Sequence, residues 1–437
     1  MTAPTRILVI GSGGREHALA WRLAMDAGVE RVTVAPGNPG MTDVAAIHPD
    51  LDVRDHGTIF GLAASQAIDL VVVGPEAPLV AGLADDLRAA DVPVFGPGRA
   101  GARLEGSKTF CRDMAAAAGV PIADGRSFSD DPSGAAAFAR TLGAPVVIKA
   151  DGLAGGKGVT VCGTLAEAEA AISECAVRFG AAGRTIVVER ALAGREVSVI
   201  AITDGTTVLA LPAARDHKRI GDGDTGPNTG GMGACSPLDD VPDVAAADLA
   251  DRSHRPILAE LARRGIDYRG VLYAGLMLTD DGPVLLECNV RFGDPETQVL
   301  LPRLGAPLAR LLAAAADGRL AEAAAAAGLV AGRIPGGDAA VGVVIATAGY
   351  PDAPRLGDAI AVDPLPDDAL LFWSGVRHGA DGRLVTSGGR VATVVGRGVT
   401  TESAADAAYA AADSVRFDGR RYRRDIARPA TVAVGAR

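Results

Sequence analysis

Only four of the 43 basic residues in this 437-residue chain are lysine. They are not scattered at random. Lys149 and Lys157 stand eight apart in "VIKADGLAGGKGVTV", Lys108 lies in "LEGSKTF", and Lys218 lies in "RDHKRIGDGDTGPNTGGMGA". A lysine head is a compact point charge that fits between phosphate oxygens without the wide planar fork of a guanidinium. Gly155, Gly156 and Gly158 surround Lys157 between two apolar runs. The stretch therefore predicts a flexible hairpin whose N–H groups and ammonium close over a phosphate chain. It is not a Walker loop, because Gly158 and not Ser or Thr follows Lys157. Lys149, near the end of the preceding strand, can place its charge beside the same phosphates.

Three further stretches carry chemistry. In "LLECNVRFGDPETQ", Glu287 and Asn289 are two apart and share one face of a strand. Such an E-x-N pair of hard oxygen ligands suits Mg²⁺ bridged to phosphates, or else it is a polar edge strand. Arg291 continues that face, and Asp294 and Glu296 follow in the turn. In "VVERALAGREVSV", the backbone of Glu189, Arg190, Ala191 and Leu192 can read an adenine edge, and Glu196 can hold ribose hydroxyls. The glycine-rich stretch after Arg215 carries Asp216, His217, Lys218, Arg219, Asp222, Asp224 and Asn228. A loop this long inside a domain either closes on substrate or is disordered.

"GSGGREH" invites a dinucleotide reading that fails twice. Glu16 occupies the place of the last glycine of G-x-G-x-x-G, and the second strand ends in Pro36-Gly37-Asn38 without the acidic residue that would hold a ribose. What remains is a nest of backbone N–H groups for a phosphate, or a plain tight turn.

The elements that must position these residues are legible from periodicity. Four short apolar runs over residues 6–97, each ending in Gly, Pro or Asn, alternate with helical stretches and predict a parallel α/β sheet. Its ligand-bearing strand ends are Gly11–Glu16, Gly37–Asn38, Gly74–Glu76 and Gly96–Pro97. Ser107 is the expected N-cap of the next helix. Strands are expected at "APVVIKA", "GVTVCG" and "RTIVVER", helices around 244–264 and 305–326, and a hairpin turning at Asp281-Gly282. Further hairpin turns are expected at Asp381-Gly382 and Gly388-Gly389 in a β-rich C-terminal part.

Bulk properties narrow the class. A hydrophobic content of 48% gives ample core, and a net charge of −10 argues against a general nucleic-acid or anionic-membrane surface. Five dispersed cysteines without a C-x-x-C pair fit reduced thiols. The first apolar run is too short for a signal peptide, and none approaches the roughly 20 residues that span a bilayer. The expectation is a soluble cytoplasmic protein.

Taken together, "GSGGREHALAW", "APGNPG", "VVVGPEAPLV", "LEGSKTF", "VIKADGLAGGKGV", "DHKRIGDGDTGPNTGGMGA", "YAGLM" and "ECNVRFGDPETQ" resemble the ATP-grasp superfamily, and within it the glycinamide ribonucleotide synthetase family. The resemblance implies an α/β and α+β fold with three parts. An N-terminal parallel Rossmann-like (pre-ATP-grasp) domain spans 1–104, a two-lobed ATP-grasp core spans 105–328 with a mobile lid about 121–190, and a small β-rich domain spans 329–437. It implies a monomer that takes ATP, Mg²⁺ or Mn²⁺, glycine and 5-phosphoribosylamine, and neither nucleic acid nor membrane. Lys108, Lys149, Gly155, Gly156, Lys157, Gly158, Glu189–Leu192 (with Arg190 and Ala191) and Glu196 look like ATP contacts. Glu287 and Asn289 look like metal ligands. Gly13, Gly14, Arg15, Glu16, Asn38, Glu76, Asp216 and Asn228 look like substrate contacts, and Arg291, Asp294 and Lys218 like catalytic residues. Another ATP-grasp carboxylate–amine ligase or carboxylase is the alternative that the same motifs allow.

Overall fold

In the strand Arg6–Gly11, Ile7 and Val9 enter one buried cluster while Leu8 and Ile10 enter another. Both faces are covered, so the run is continuously apolar instead of alternating. The strand Leu70–Val73 divides its side chains in the same way. The computed structural model, which describes residues 3–428, pairs these two strands within a five-stranded sheet. Arg31–Pro36 and then Ala46–Ile47 extend one side, Val94–Phe95 the other, and every pairing is parallel. The strand order reverses beside Arg6–Gly11, and the crevice at that reversal is where such sheets take ligands. The helix Gly14–Ala24 and the helix Glu76–Ala81 both start there.

The core that faces this crevice is a four-stranded antiparallel sheet in the order Val208–Ala210, Arg195–Thr203, Gly270–Thr279, Gly282–Asn289. The last two strands form the hairpin expected at Asp281-Gly282, with Gly282 at φ +117°. Ser107 caps the helix Lys108–Ala117 by accepting the Phe110 N–H, as its hydroxyl suggests. A second antiparallel sheet, in the order Gly125–Ser129, Thr185–Arg190, Val146–Ala150, Val159–Cys162, carries the helices Pro132–Leu142 and Leu165–Phe179. Its apolar side chains form a cluster of their own, separate from the rest of the core.

The third unit is a five-stranded sheet covered by the helix Thr401–Ser414. Two of its strands belong to the glycine-rich stretch: Gly233–Ser236 pairs onto Ala339–Ala346, and Arg215–Asp216 pairs onto Gly233–Ser236 at the edge. Between them the expected irregular loop is a short hairpin, Arg219–Gly221 with Thr225–Asn228. Its tip is fastened to the C-terminal segment: Asp222 accepts the Arg424 N–H at 2.8 Å, Asp224 pairs with Arg423 at 2.7 Å, and Asp425 accepts the Gly223 N–H at 2.8 Å. Those charges hold the loop in place, and Asp224 also lines the cavity described below.

Two other expectations change. The helix expected over 305–326 is two helices, Leu308–Ala316 and Leu320–Ala326. Gly318, at φ +73°, ends the first while the Arg319 N–H returns to the Ala314 carbonyl, and the Asp204 carboxylate caps the Leu320 N–H at 2.9 Å. Gly388-Gly389 is not a hairpin turn, because it joins strands of different sheets; Gly388 is needed where its backbone passes directly against Gly375. The five cysteines are all buried and free. No helix among the described residues is long and apolar enough to cross a membrane.

His17 and His254 lie inside this packing. The Trp373 N–H donates to His17 Nδ1 at 2.9 Å, and His254 Nε2 donates to the Leu272 carbonyl at 2.9 Å. Burial lowers each imidazole to a pKa of about 4. The unfolded chain binds protons below about pH 6.5 that the folded chain refuses, so stability is full above that pH and falls towards pH 4. Each histidine should cost about 2.5 kcal/mol by pH 4.5. Urea midpoints between pH 7.5 and 4.5 should therefore fall, and His254→Gln, which keeps a donor for Leu272, should flatten the slope. An unchanged slope would assign the acid sensitivity elsewhere.

Candidate active site

All three units contribute to one cavity of about 850 Å³, within the usual range for small-molecule sites. Its lysines are anchored from different elements. Lys108 opens the helix Lys108–Ala117 and donates to the Gly152 carbonyl at 3.3 Å. Lys149 comes from the strand Val146–Ala150, contacting Glu189 Oε2 at 2.6 Å and the Leu286 carbonyl at 2.9 Å. Lys218 lies 2.8 Å from Glu196 Oε2. Glu287 is open to the cavity amid these cations. Burial raises its carboxyl, but Lys218, Lys149, Lys108 and Arg291 outweigh that and hold it below the ordinary glutamate range. Asn289, two residues on, lines the same cavity.

Lys157 behaves differently. It does not line the cavity; its Nζ donates to the Pro351 carbonyl at 2.7 Å, in the C-terminal unit. The glycines around it do line the cavity, and Gly155 and Gly156 take φ of +57° and +76°. The start of this loop is tied down by Asp151, which accepts the Thr109 N–H at 2.6 Å and the Ser107 hydroxyl at 3.0 Å.

At one end, Glu189, Arg190, Ala191 and Leu192 form a strip of the wall. The Glu189 carboxylate is already shared by Lys149 and Arg112. The Arg190 N–H bonds the Asp124 carbonyl and the Ala191 N–H the Pro145 carbonyl. Leu192 is the first amide of the strip left for a guest.

At the opposite end Arg291 lies between Glu105, 3.0 Å from Nη2, and Glu76, 3.3 Å from Nε. Burial lifts the Glu105 carboxyl to about 6, with Arg291 opposing. Asp294 accepts Gln298 Nε2 and Arg390 Nη2 at 2.7 and 2.6 Å. Arg390 also donates to the carbonyls of Gly230 and Asp294 at 2.6 and 3.1 Å, and so joins the C-terminal sheet to the glycine-rich turn. Burial pushes Asp216 well above the usual carboxylate range, and Lys218 only partly offsets it.

Of the substrate contacts expected from sequence, Arg15, Glu76, Asp216 and Asn228 line the cavity. Gly13, Gly14, Glu16 and Asn38 do not. Glu16 turns back to accept the Gly13 N–H at 2.7 Å, filling the nest that a phosphate was expected to fill, and it also holds Arg15 Nε at 2.6 Å. Asn38 donates to the carbonyls of Ser12 and Trp373 and caps the Gly40 N–H, an interior structural role. Sequence reasoning missed Glu105, Arg112, Tyr273 and Arg390 as wall residues. Glu105 sits inside "LEGSKTF", a quoted motif, but Arg390 follows a glycine turn with no signal of its own.

Comparison with known proteins gives concordant results. Family models match consecutively: phosphoribosylglycinamide synthetase N domain over residues 5–105, its ATP-grasp (A) domain over 106–297, and its C domain over 340–429. The phosphoribosylamine–glycine ligase of Rhizobium meliloti (strain 1021) is 49% identical over 426 residues, 96% of this chain and 97% of that one. The ligase of the same name from Salmonella typhi is 45% identical over 96% and 97% of the two chains. The crystal structure of phosphoribosylamine–glycine ligase from Thermotoga maritima superposes with a TM-score of 0.80 at 35% identity, covering 96% of this chain and 100% of that one. A biotin carboxylase from Campylobacter jejuni shares the fold alone, at 16% identity and a TM-score of 0.69 over 96% and 93% of the chains.

Arg390→Met should release the Gly230 carbonyl and leave Asp294 with one partner. Hydrogen exchange at Gly230–Met232 should then accelerate roughly tenfold for the loss of a charge-assisted bond, while the strand Arg6–Gly11 keeps its protection. Equal exchange in both proteins would show that Arg390 does not hold the turn.

Proposed function

Since the chain belongs to the phosphoribosylglycinamide synthetase family, we propose that this cavity is where ATP, glycine and 5-phosphoribosylamine meet, and that the residues above divide the work between them. The reaction is the ATP-dependent ligation of glycine to 5-phosphoribosylamine, which gives glycinamide ribonucleotide, ADP and phosphate in purine biosynthesis. A carboxylate oxygen of glycine attacks the γ-phosphorus of ATP, and ADP leaves. The amine of phosphoribosylamine then attacks the resulting acyl phosphate, and phosphate leaves as the amide forms.

The observation that carries the assignment of roles is the placement of cations. Lys108 and Lys149 face the cavity beneath the glycine loop, where negative charge accumulates as the γ-phosphoryl group transfers. The strip Glu189–Leu192 receives the adenine. Glu196, held by Lys218, is positioned for ribose hydroxyls. Arg291 and Asp294 serve the acyl-phosphate end, and Arg15 and Glu76 the phosphoribosylamine side. Lys157, on the Pro351 carbonyl in this conformation, is a phosphate ligand only if the loop moves on ATP binding. The sheet Gly125–Arg190 has its own core and so can move as one body, which excludes water from an intermediate that water would destroy.

Glu287 and Asn289 fit a divalent cation. They are hard oxygen donors side by side, and the Glu287 carboxylate has no hydrogen-bond partner among the described residues, so it is free to ligate. Mg²⁺ or Mn²⁺ held there would neutralise charge on the phosphate oxygens. The same reading makes the protein a cytoplasmic monomer that works on small molecules and not on nucleic acid or membrane. Its division into units at about residues 104 and 328 follows the same proposal, although the third sheet borrows strands 215–216 and 233–236.

Glu287→Gln should lower metal-dependent turnover at least roughly a thousandfold, the scale of several kcal/mol of lost charge stabilisation, with far-UV circular dichroism unchanged. Near-normal turnover would remove the metal assignment. Lys157→Met should raise the KM for ATP if the loop carries Lys157 to the phosphates; an unchanged KM would leave it as a contact of Pro351 alone.

A further inference from the structure

The strand Gly282–Asn289 is the edge of the central sheet, so the amides on its outer side must find partners beyond the sheet. The Leu285 N–H finds the Pro121 carbonyl at 2.8 Å, and the Val290 N–H, just past the strand, finds the Glu105 carboxylate at 2.8 Å. The Cys288 N–H finds a sulfur, that of Cys111 on the helix Lys108–Ala117. The Cys288 thiol turns to the same atom, so the two thiols share a hydrogen bond. Both side chains belong to one buried cluster and both line the cavity. At 6% and 3% exposure, the cavity is their way to solvent. Cys111 stands three residues after Lys108, on the same face of the helix, and Cys288 stands between Glu287 and Asn289.

The other three cysteines have no place in the cavity wall. Cys162 and Cys175 lie in the separate core of the second sheet, and Cys235 lies on the strand Gly233–Ser236. Among the described residues no group of three His, Cys, Asp or Glu could hold a metal ion, so Cys111 and Cys288 have no third ligand beside them. Two thiols in contact, with no metal to share, can share oxidation to a disulfide. The hydrogen bonds from Cys288 draw the Cys111 thiol below its ordinary range, against the effect of burial. Thiolate character marks Cys111 as the attacking sulfur of the two.

We propose that Cys111 and Cys288 are a reversible modification site, which a peroxide entering through the cavity converts to a disulfide that disables the ligase. The Cys111 thiolate attacks one peroxide oxygen, the O–O bond breaks, and the departing hydroxide takes up the thiol's proton as water, leaving a sulfenic acid. The Cys288 sulfur attacks that sulfur, the S–O bond breaks, and a second water leaves with the Cys288 proton. Two thiols thus lose two electrons while one peroxide becomes two waters, and a dithiol reverses the change by exchange. A disulfide is about 2.05 Å long, shorter than the thiol contact it replaces. Forming it draws the helix that begins at Lys108 towards the strand that carries Glu287 and Asn289. The loss of turnover rests on the reading of the cavity as the ligation site; the bond itself does not.

The test treats reduced wild-type protein with hydrogen peroxide, with and without ADP and Mg²⁺, then measures glycine-dependent turnover and the masses of its unreduced tryptic peptides. Turnover of the reduced protein and ADP binding by calorimetry are checked first. The absence of either would overturn the reading of the cavity, while the peptide masses still decide whether the disulfide forms. Peroxide should join peptide 109–112 to peptide 270–291 with the loss of two hydrogens. Turnover should fall in step, roughly 100-fold, the scale of a misplacement of about 1 Å in a site. Dithiothreitol should restore both. ADP at about ten times its Kd should slow both roughly tenfold, because only the empty cavity admits the peroxide. Cys111→Ser should keep its own starting activity under peroxide, and Cys288→Ala serves if that variant does not fold. Sulfinic acid in place of the joined peptides, a joined pair with turnover unchanged, or a Cys111→Ser protein as sensitive as wild type would overturn the proposal.

Discussion

The Arg291 guanidinium cannot shed its proton, so burying it commits the fold to bring anions to it. Those anions come from two distant segments: Glu76 begins a helix at the carboxyl edge of the parallel sheet, and Glu105 ends the connecting helix Arg99–Gly106. Glu105 also accepts the Val290 N–H at 2.8 Å, which fixes the strand end that presents Arg291. One residue later the Phe292 carbonyl accepts Arg15 from the first helix. The parallel sheet, the connector and the central sheet are thereby locked in one relation. Removing one partner of such a set would leave a charge uncompensated, so each member fixes the place of the others. The benefit falls on the chemistry, since charges already oriented around the cavity need little reorganisation when the reaction develops charge.

The same logic explains how the other two units attach. Asp294, three residues beyond Arg291, pairs with Arg390 and so helps to join the C-terminal sheet, which already shares strand Gly233–Ser236, to the end of the cavity. The sheet Gly125–Arg190 is joined more sparingly. Asp151 fastens its glycine loop to the helix start at Ser107 and Thr109, Lys157 rests on Pro351, and Asn228 reaches the Val159 carbonyl at 3.4 Å. A unit with its own apolar core and polar attachments can shift as a body without unpacking anything. The buried Arg112–Glu189 pair fixes one edge of this sheet, while its glycine loop is held by hydrogen bonds alone.

Much of this was legible in the sequence because it depends on local constraints. A continuous apolar run bounded by glycine announces a doubly covered strand, and "LLECN" places Glu287 and Asn289 on one face whatever surrounds it. Ser107 as a cap and Asp281-Gly282 as a turn are equally local. What was not legible depends on partners far along the chain. Nothing in "TSGGR" marks Arg390 as a wall residue until the sheet brings it to Asp294. Nothing in "GSGGREH" says that Glu16 will fill its own nest, since a carboxylate three residues after a helix start can cap it or leave it open to a ligand. The mixed charges at Asp222 and Asp224 mark a structured loop, but their partners at 423–425 lie two hundred residues away and leave no local trace.

The scarcity of lysine finds its explanation at one carboxylate. Glu189 is shared by an arginine and a lysine, and the two use it differently. Arg112 spreads its fork over Glu189 and the carbonyls of Ala123 and Gly125, stitching the hinge together with several bonds in one plane. Lys149 meets the other oxygen and the Leu286 carbonyl with a single rotatable head that still lines the cavity. A guanidinium there would need room for its fork and would spend its donors on fixed acceptors. An ammonium can hold its place on Glu189 and turn a remaining proton towards a guest. Here arginine ties elements of the wall to one another, and lysine keeps a donor facing the cavity.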